Sequence, residues 1–137
     1  MTTSAVFISA PGELEKLVGF AADFGRKAGL VGKDLFTLQL VVEELVTNVI
    51  EHGGVPAGEE AGRVELSIGN GELRIRLTDR GKEFNPLLLA EPAPVLPLEE
   101  RPVGGLGVHF CRKLTDAQDY ERRDGCNVLT LTKRLSS

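Results

Sequence analysis

The sequence predicts an α+β domain of two layers, in which a mixed, mostly antiparallel sheet carries helices on one face. Two pairs of segments with alternating apolar residues are each joined by a short glycine-containing turn, as in β-hairpins. Segments with helical periodicity lie before and between them. The chain has 137 residues, 42% of them apolar, which is enough for one core. We therefore expect a single domain over residues 1–137.

Glycines and prolines divide the chain into its elements. The helices are predicted from apolar residues every three or four positions, and each of the first two stops at a glycine. The strands are predicted from period-two alternation. In chain order we expect a strand at 5–9, helices at 13–28 and 33–52, a hairpin of 64–68 with 73–77, a helix at 104–114 and a hairpin of 119–123 with 126–133.

The segment from Arg80 to Pro102 has no periodicity and holds five of the seven prolines. A stretch of this kind inside a compact domain is more often a functional lid than a regular element. We place the lid at about 82–104. Its Leu87-Leu88-Leu89 run is expected to pack on the body of the protein or on a partner.

Charge and composition exclude several classes of function. Twenty acidic residues against 16 basic ones give a net charge of −4, which argues against direct nucleic-acid binding. No apolar run reaches the roughly 18 residues of a membrane span, and no secretion signal is apparent. Cys111 and Cys126 have no metal-ligand spacing and are expected to be buried, small apolar side chains. These features predict a cytoplasmic location.

The long helix carries two polar side chains that its packing does not require. Glu44 and Asn48 are four residues apart and therefore lie on one face. Together they offer an oxygen ligand for Mg²⁺ and a proton acceptor beside it. The alternative is an ordinary exposed polar stripe, but asparagine in mid-helix gains little unless its side chain is used.

Two further segments suit a nucleotide. Asp79 and Gly81 follow a predicted strand, where a carboxylate can accept a hydrogen bond from adenine and glycine leaves room for a flat ring. An ordinary turn is the alternative. Glycines 104, 105 and 107 open a helix, where free amides suit phosphate oxygens, although such clusters are more often only flexible. No Walker lysine follows, so this is not a P-loop.

In this order and spacing, the three segments resemble the Bergerat (GHKL) ATP-binding fold. The asparagine box corresponds to Glu44-x-x-x-Asn48, the first glycine box to Asp79-x-Gly81, and the second to Gly105-x-Gly107. Within that superfamily the chain is most similar to the anti-sigma-factor serine/threonine kinases. This closer resemblance is carried by residues 44–52 and by Gly104-Gly105-Leu106-Gly107-Val108.

The resemblance implies a role for each of these positions. Asn48 would coordinate the Mg²⁺ that bridges the ATP phosphates, and Glu44 would be the catalytic base that takes the proton from a serine or threonine hydroxyl. Asp79 would bind the adenine amino group beside Gly81. The segment Gly104, Gly105, Leu106, Gly107 and Val108 would hold the phosphates.

The implied function is that of an ATP- and Mg²⁺-dependent serine/threonine kinase. It would phosphorylate a STAS-type anti-sigma-factor antagonist, bind a sigma factor and form a homodimer. Two alternatives are an ATP-binding module without phosphoryl transfer and a detached sensor-kinase catalytic domain. Two positions depart from the family pattern: Glu83 stands where a second glycine is common, and Asn127 where many relatives have threonine.

Overall fold

The computed structural model describes residues 1–88 and 105–136. The predicted order of strand, two helices, hairpin, helix and hairpin is confirmed. A short 3₁₀ turn at Pro86–Leu88 follows the first hairpin. The elements are β1 (Thr2–Ile8), α1 (Gly12–Lys27), α2 (Gly32–His52), β2 (Glu60–Gly69), β3 (Glu72–Asp79), α3 (Gly105–Leu114), β4 (Ala117–Arg123) and β5 (Cys126–Arg134).

The five strands form one sheet in the order β1-β2-β3-β5-β4, and all four pairings are antiparallel. Both hairpins turn through two residues in the left-handed region, Asn70 with Gly71 and Asp124 with Gly125. Asn-Gly and Asp-Gly are the sequences that favour this type of turn. The prediction of a largely antiparallel sheet is confirmed.

The core lies between one face of the sheet and the helices. Inward-facing strand residues such as Leu66, Ile75 and Leu131 are fully buried, and the apolar stripe of α2 covers them. Each large aliphatic side chain buried here contributes about 1.5–3 kcal/mol. On the opposite face, Arg74 and Arg76 alternate with these residues and are exposed. This asymmetry confirms the predicted two-layer arrangement.

Predictions for the leucine run and the cysteines have mixed outcomes. Leu87 is half-buried against the core, whereas Leu88 is 82% exposed. Leu89, like residues 90–104 of the predicted lid, lies outside the described residues. Cys111 is buried as predicted, but the prediction is wrong for Cys126, which is only half-buried. Cys126 is the first residue of β5, directly after the exposed turn, so little covers it.

One row across the sheet sets the position of the candidate site. Antiparallel pairing aligns Phe7, Gly62, Asp79, Asn127 and Arg122 on the side of the sheet that carries the helices. The row lies at the end of β3, where the chain leaves the sheet. Sheet pairing therefore places Asp79 in one row with a residue from each of the four other strands.

Candidate functional site

Helix α2 supplies the predicted catalytic carboxylate. Glu44 is half-buried, and its carboxylate lies against Gly107 in the first turn of α3. A Cβ atom added at position 107 would overlap the Glu44 carboxylate. A side chain at this position would therefore force the Glu44 carboxylate to move, and the asparagine-box helix meets the second glycine segment here.

The environment of Glu44 favours its protonated form. Burial is the largest cause that raises the pKa of its carboxyl group, and the neighbouring charges of Glu43 and Glu51 add to it. A carboxylate with a raised pKa is a better proton acceptor near neutral pH than an ordinary glutamate. Asn48, one turn further along α2, is also half-buried.

Asp79 ends β3 and is 8% exposed. Its Oδ1 atom accepts hydrogen bonds from the Gly81 N–H at 2.9 Å and from Asn127 Nδ2 at 3.0 Å. Burial raises the pKa of the Asp79 carboxyl group, and the hydrogen bonds from Asn127 and Gly81 and the charge of Arg122 oppose that rise. The two bonds fix the orientation of the carboxylate.

The segment after Asp79 packs against the C-terminal end of α2. The Lys82 N–H donates to the Gly53 carbonyl at 3.0 Å, and a Cβ atom at Gly81 would lie 2.8 Å from the same oxygen. Such an approach is too close for a side chain at position 81. The C-terminal end of helix α2 therefore contacts Gly81, which follows β3. The middle of the same helix contacts Gly107 in α3.

The phosphate-binding prediction falls partly outside the described residues. Gly104 is not described, and α3 begins at Gly105. The Val108 side chain is 2% exposed and belongs to the interior, so only its backbone could meet a ligand. The side chain of Leu106 is not among those described.

The family of histidine kinase-like ATPase domains matches the chain over residues 7–133. The chain belongs to this family. A curated relative, the serine/threonine-protein kinase BtrW of Bordetella bronchiseptica, is 32% identical over 97 residues, which cover 71% of this chain and 68% of BtrW.

Solved structures of other histidine kinase-like ATPase domains share the fold. The RsbU and RsbW domains of Rv1364c from Mycobacterium tuberculosis align with a TM-score of 0.73 at 16% identity, over 98% of this chain. This chain spans about a third (32%) of that longer chain. The catalytic domain of the histidine kinase ThkA aligns with a TM-score of 0.50 at 18% identity, over 96% of this chain and 97% of its own.

Residues outside the three motifs surround Asp79 in the candidate site. The role of Asn127 does not follow from sequence, because its pairing with Asp79 joins residues 48 positions apart. Tyr120 and Arg122, on the neighbouring strand β4, both donate to the Asn127 side chain. Tyr120 and Arg122 are two residues apart in the sequence, which indicates that both side chains lie on one face of a strand.

Substitution of Gly107 by alanine is expected to lower phosphoryl transfer about 10²-fold, because the new methyl group displaces the Glu44 carboxylate and small misplacements are costly in catalysis. The Glu44 side chain is flexible, so the free energy of unfolding should change by less than ~1 kcal/mol. Paired measurements of transfer rate and thermal unfolding test this. Gly19→Ala in α1, where a Cβ meets nothing, is the control. Unchanged transfer in Gly107→Ala would contradict the contact.

The two cysteines are expected to differ in reactivity. Burial, followed by the charge of Glu44, raises the pKa of the Cys111 thiol to about 12. At pH 8 this thiol stays protonated and unreactive. A thiol reagent at that pH should modify the half-buried Cys126 in the native protein, and Cys111 only after unfolding. Rapid native modification of Cys111, located by peptide mass spectrometry, would show that this prediction is wrong.

Proposed function

We propose that this protein is an ATP- and Mg²⁺-dependent serine/threonine kinase of the anti-sigma-factor type. One observation carries the proposal: helix α2 holds Glu44 against Gly107, while its C-terminal end contacts Gly81. Helix α2 thus carries the residue that suits a catalytic base, and it contacts the two segments that suit an adenine ring and phosphates. Membership of the histidine kinase-like ATPase family supports ATP as the nucleotide.

Asp79 would recognise the adenine ring. Its Oδ1 is occupied by two N–H donors, and no hydrogen bond from a described residue reaches Oδ2. Oδ2 would therefore accept the bond from the exocyclic amino group. Gly81 would orient the carboxylate through its N–H, and the backbone amides of Gly105, Gly107 and Val108 at the start of α3 would donate to phosphate oxygens, assisted by the helix dipole. Gly104 and Leu106 complete the proposed phosphate segment.

The residues present fit a Mg²⁺ ion that arrives with the nucleotide. Mg²⁺ prefers oxygen ligands and usually keeps water and substrate phosphates among them, so a single protein ligand is sufficient. The Asn48 amide oxygen is that ligand in the proposal. When bound, Mg²⁺ neutralises charge on the phosphates.

Glu44 would act as general base. The raised pKa of its carboxyl group suits it to take the hydroxyl proton of a serine or threonine as that oxygen attacks the terminal phosphate. The absence of a side chain at Gly107 leaves room for the carboxylate in this position. Most of the remaining rate enhancement would come from positioning and charge neutralisation.

The proposed partners follow from the resemblance and from the relatives. We assign a STAS-type anti-sigma-factor antagonist as substrate, a sigma factor as the restrained partner, and a homodimer as the working form in the cytoplasm. The relative BtrW supports the serine/threonine kinase activity, and the structure that includes the RsbW domain supports the fold. Residues 1–137 would form one ATPase domain whose lid spans about 82–104. In the part of the chain that the structure describes, none of the helices is both long and apolar enough to cross a membrane.

The test is transfer of labelled phosphate from ATP to a purified STAS-type protein, with and without Mg²⁺. For the wild type we expect acid-stable phosphate on serine or threonine of the substrate. For Asn48→Ala we expect a loss of nucleotide affinity in the presence of Mg²⁺. Tight ATP binding without transfer would favour the non-catalytic binding module instead. Acid-labile phosphate would favour a detached sensor-kinase domain.

A further inference from the structure

A buried cluster of hydrogen bonds surrounds Asn127, which is 6% exposed. Its Oδ1 accepts from the Tyr120 hydroxyl at 2.6 Å, the Phe84 N–H at 3.1 Å and Arg122 Nη1 at 3.2 Å. Its Nδ2 donates to Asp79 Oδ1 at 3.0 Å and to the Lys82 carbonyl at 2.8 Å. Every polar atom of this side chain is therefore in use.

The chemistry of the neighbours fixes the orientation of the Asn127 amide. A guanidinium and a backbone N–H are donors only, so Oδ1 must face Arg122 and Phe84. A backbone carbonyl is an acceptor only, so the NH₂ group must face Lys82 and, beyond it, Asp79. A rotated amide would oppose like groups on both sides, which is costly in a buried position.

The same cluster holds the segment that follows Asp79. Arg122 Nη1 also donates to the Gly81 carbonyl at 3.0 Å, so the backbone is tied at Gly81, Lys82 and Phe84. This segment contains Glu83. Side chains from β4 and β5 therefore fix a backbone segment that carries no glycine at position 83.

We propose that Asn127, together with Tyr120 and Arg122, is a positioning unit that selects the oxygen Asp79 presents to the nucleotide base and does not itself contact the base. Both Asn127 N–H groups are already donated, so none remains for a ring nitrogen. With Oδ1 saturated, Asp79 Oδ2 is the acceptor of the pair. This inference rests on the proposed nucleotide site, and it assigns base selectivity to the Asp79 carboxylate alone.

The unit also opposes the rise that burial causes in the pKa of the Asp79 carboxyl group. On the β2 side of Asp79, the residues in the same row are Gly62 and Phe7, and both are uncharged. Gly53, at the end of α2, is also uncharged. Arg122 is the charge that lowers the Asp79 pKa, and Asn127 contributes the leading hydrogen bond. Loss of either is expected to move protonation of Asp79 to higher pH. Because Oδ1 faces two donors, the proton would sit on Oδ2 and turn the acceptor into a donor.

Two measurements test the proposal with Arg122→Gln, Tyr120→Phe and Asn127→Ala. In the nucleotide-free protein, carboxyl ¹³C NMR reports the Asp79 pKa, which should rise in Arg122→Gln and Asn127→Ala. Calorimetry with ADP should show affinity losses of about tenfold for Asn127→Ala and about threefold for the other two. Arg123→Gln is the matched control, because Arg123 is exposed and pairs with Glu121; it should change neither.

A double-mutant cycle separates positioning from direct contact. In an Asp79→Asn background, Asn127→Ala should cost no further ADP affinity, because its effect acts through Asp79. An unchanged Asp79 pKa in folded Arg122→Gln and Asn127→Ala, or additive losses in the cycle, would overturn the proposal. If the wild type binds no adenine nucleotide, the proposed function and the base-selecting role both fail. Raised Asp79 pKa values in the variants would still show that the unit positions that carboxylate.

Discussion

Glu44→Gln is expected to lower phosphoryl transfer by about 10²–10⁴-fold, the usual contribution of a general base, while ADP binds as in the wild type. Glutamine has nearly the same shape, so the contact with Gly107 is kept, but an amide cannot take a proton. Rates of labelled phosphate transfer and ADP calorimetry measure the two effects. Glu15→Gln is the matched control, since it removes an exposed charge from α1 that does not affect the Glu44 pKa. Wild-type transfer by Glu44→Gln would exclude Glu44 as the base.

The same variant is expected to be more stable than the wild type at neutral pH. A pKa raised in the folded state means that ionised Glu44 opposes folding, through burial and the charges of Glu43 and Glu51. The wild type should therefore lose stability as pH rises through the range between the ordinary glutamate pKa and the raised one. Glutamine does not titrate, so the difference should vanish at acid pH. Denaturant unfolding across pH measures it, and a less stable variant at neutral pH would contradict the raised pKa.

Asp79→Asn is expected to weaken ATP binding roughly 10–150-fold, the value of a hydrogen bond to a charged group of about 1.5–3 kcal/mol. Because the Gly81 N–H and Asn127 Nδ2 both require an acceptor, the new amide oxygen should take the Oδ1 position. Its NH₂ group then stands where Oδ2 was. A donor there opposes the adenine amino group.

The replacement of a hydrogen-bond acceptor by a donor gives the Asp79→Asn prediction a second readout. Hypoxanthine carries a carbonyl in place of the adenine amino group, so Asp79→Asn should bind ITP better relative to ATP than the wild type does. Competition calorimetry with both nucleotides measures the ratio. Asp119→Asn removes an exposed carboxylate from β4 and serves as the control. A uniform loss for both nucleotides would indicate general disruption rather than altered recognition.

Local patterns predicted the elements closely. Helix α2 begins at Gly32, one residue before the predicted start, and ends at the predicted His52. Both hairpins follow from turn residues that adopt left-handed backbone conformations. Strand β1 is longer than predicted, because Thr2 pairs with Ser67 on β2 and no apolar alternation marks that end. Pairing partners, rather than local preference, set that boundary.

The site could be predicted only as far as its motifs are local. Glu44 and Asn48 lie on one helix, so their common face follows from helical spacing. The approach of Glu44 to Gly107 and that of Asp79 to Asn127 depend on packing between distant segments. Asn127 does not by itself indicate a hydrogen-bonding unit, and the spacing of Tyr120 and Arg122 indicates only that they share a face of their strand. That unit emerges only from the sheet register.

The central claim is that the three motifs form one nucleotide site, and amide NMR of the wild-type protein during an ADP–Mg²⁺ titration tests it most directly. The account predicts that the Asn48 side-chain amide and the backbone amides of Gly81 and Gly107 shift together, with one dissociation constant. Amides on the exposed face of α1, such as that of Gly19, should stay unchanged. Shifts confined to one motif, or none at saturating nucleotide, would contradict the claim.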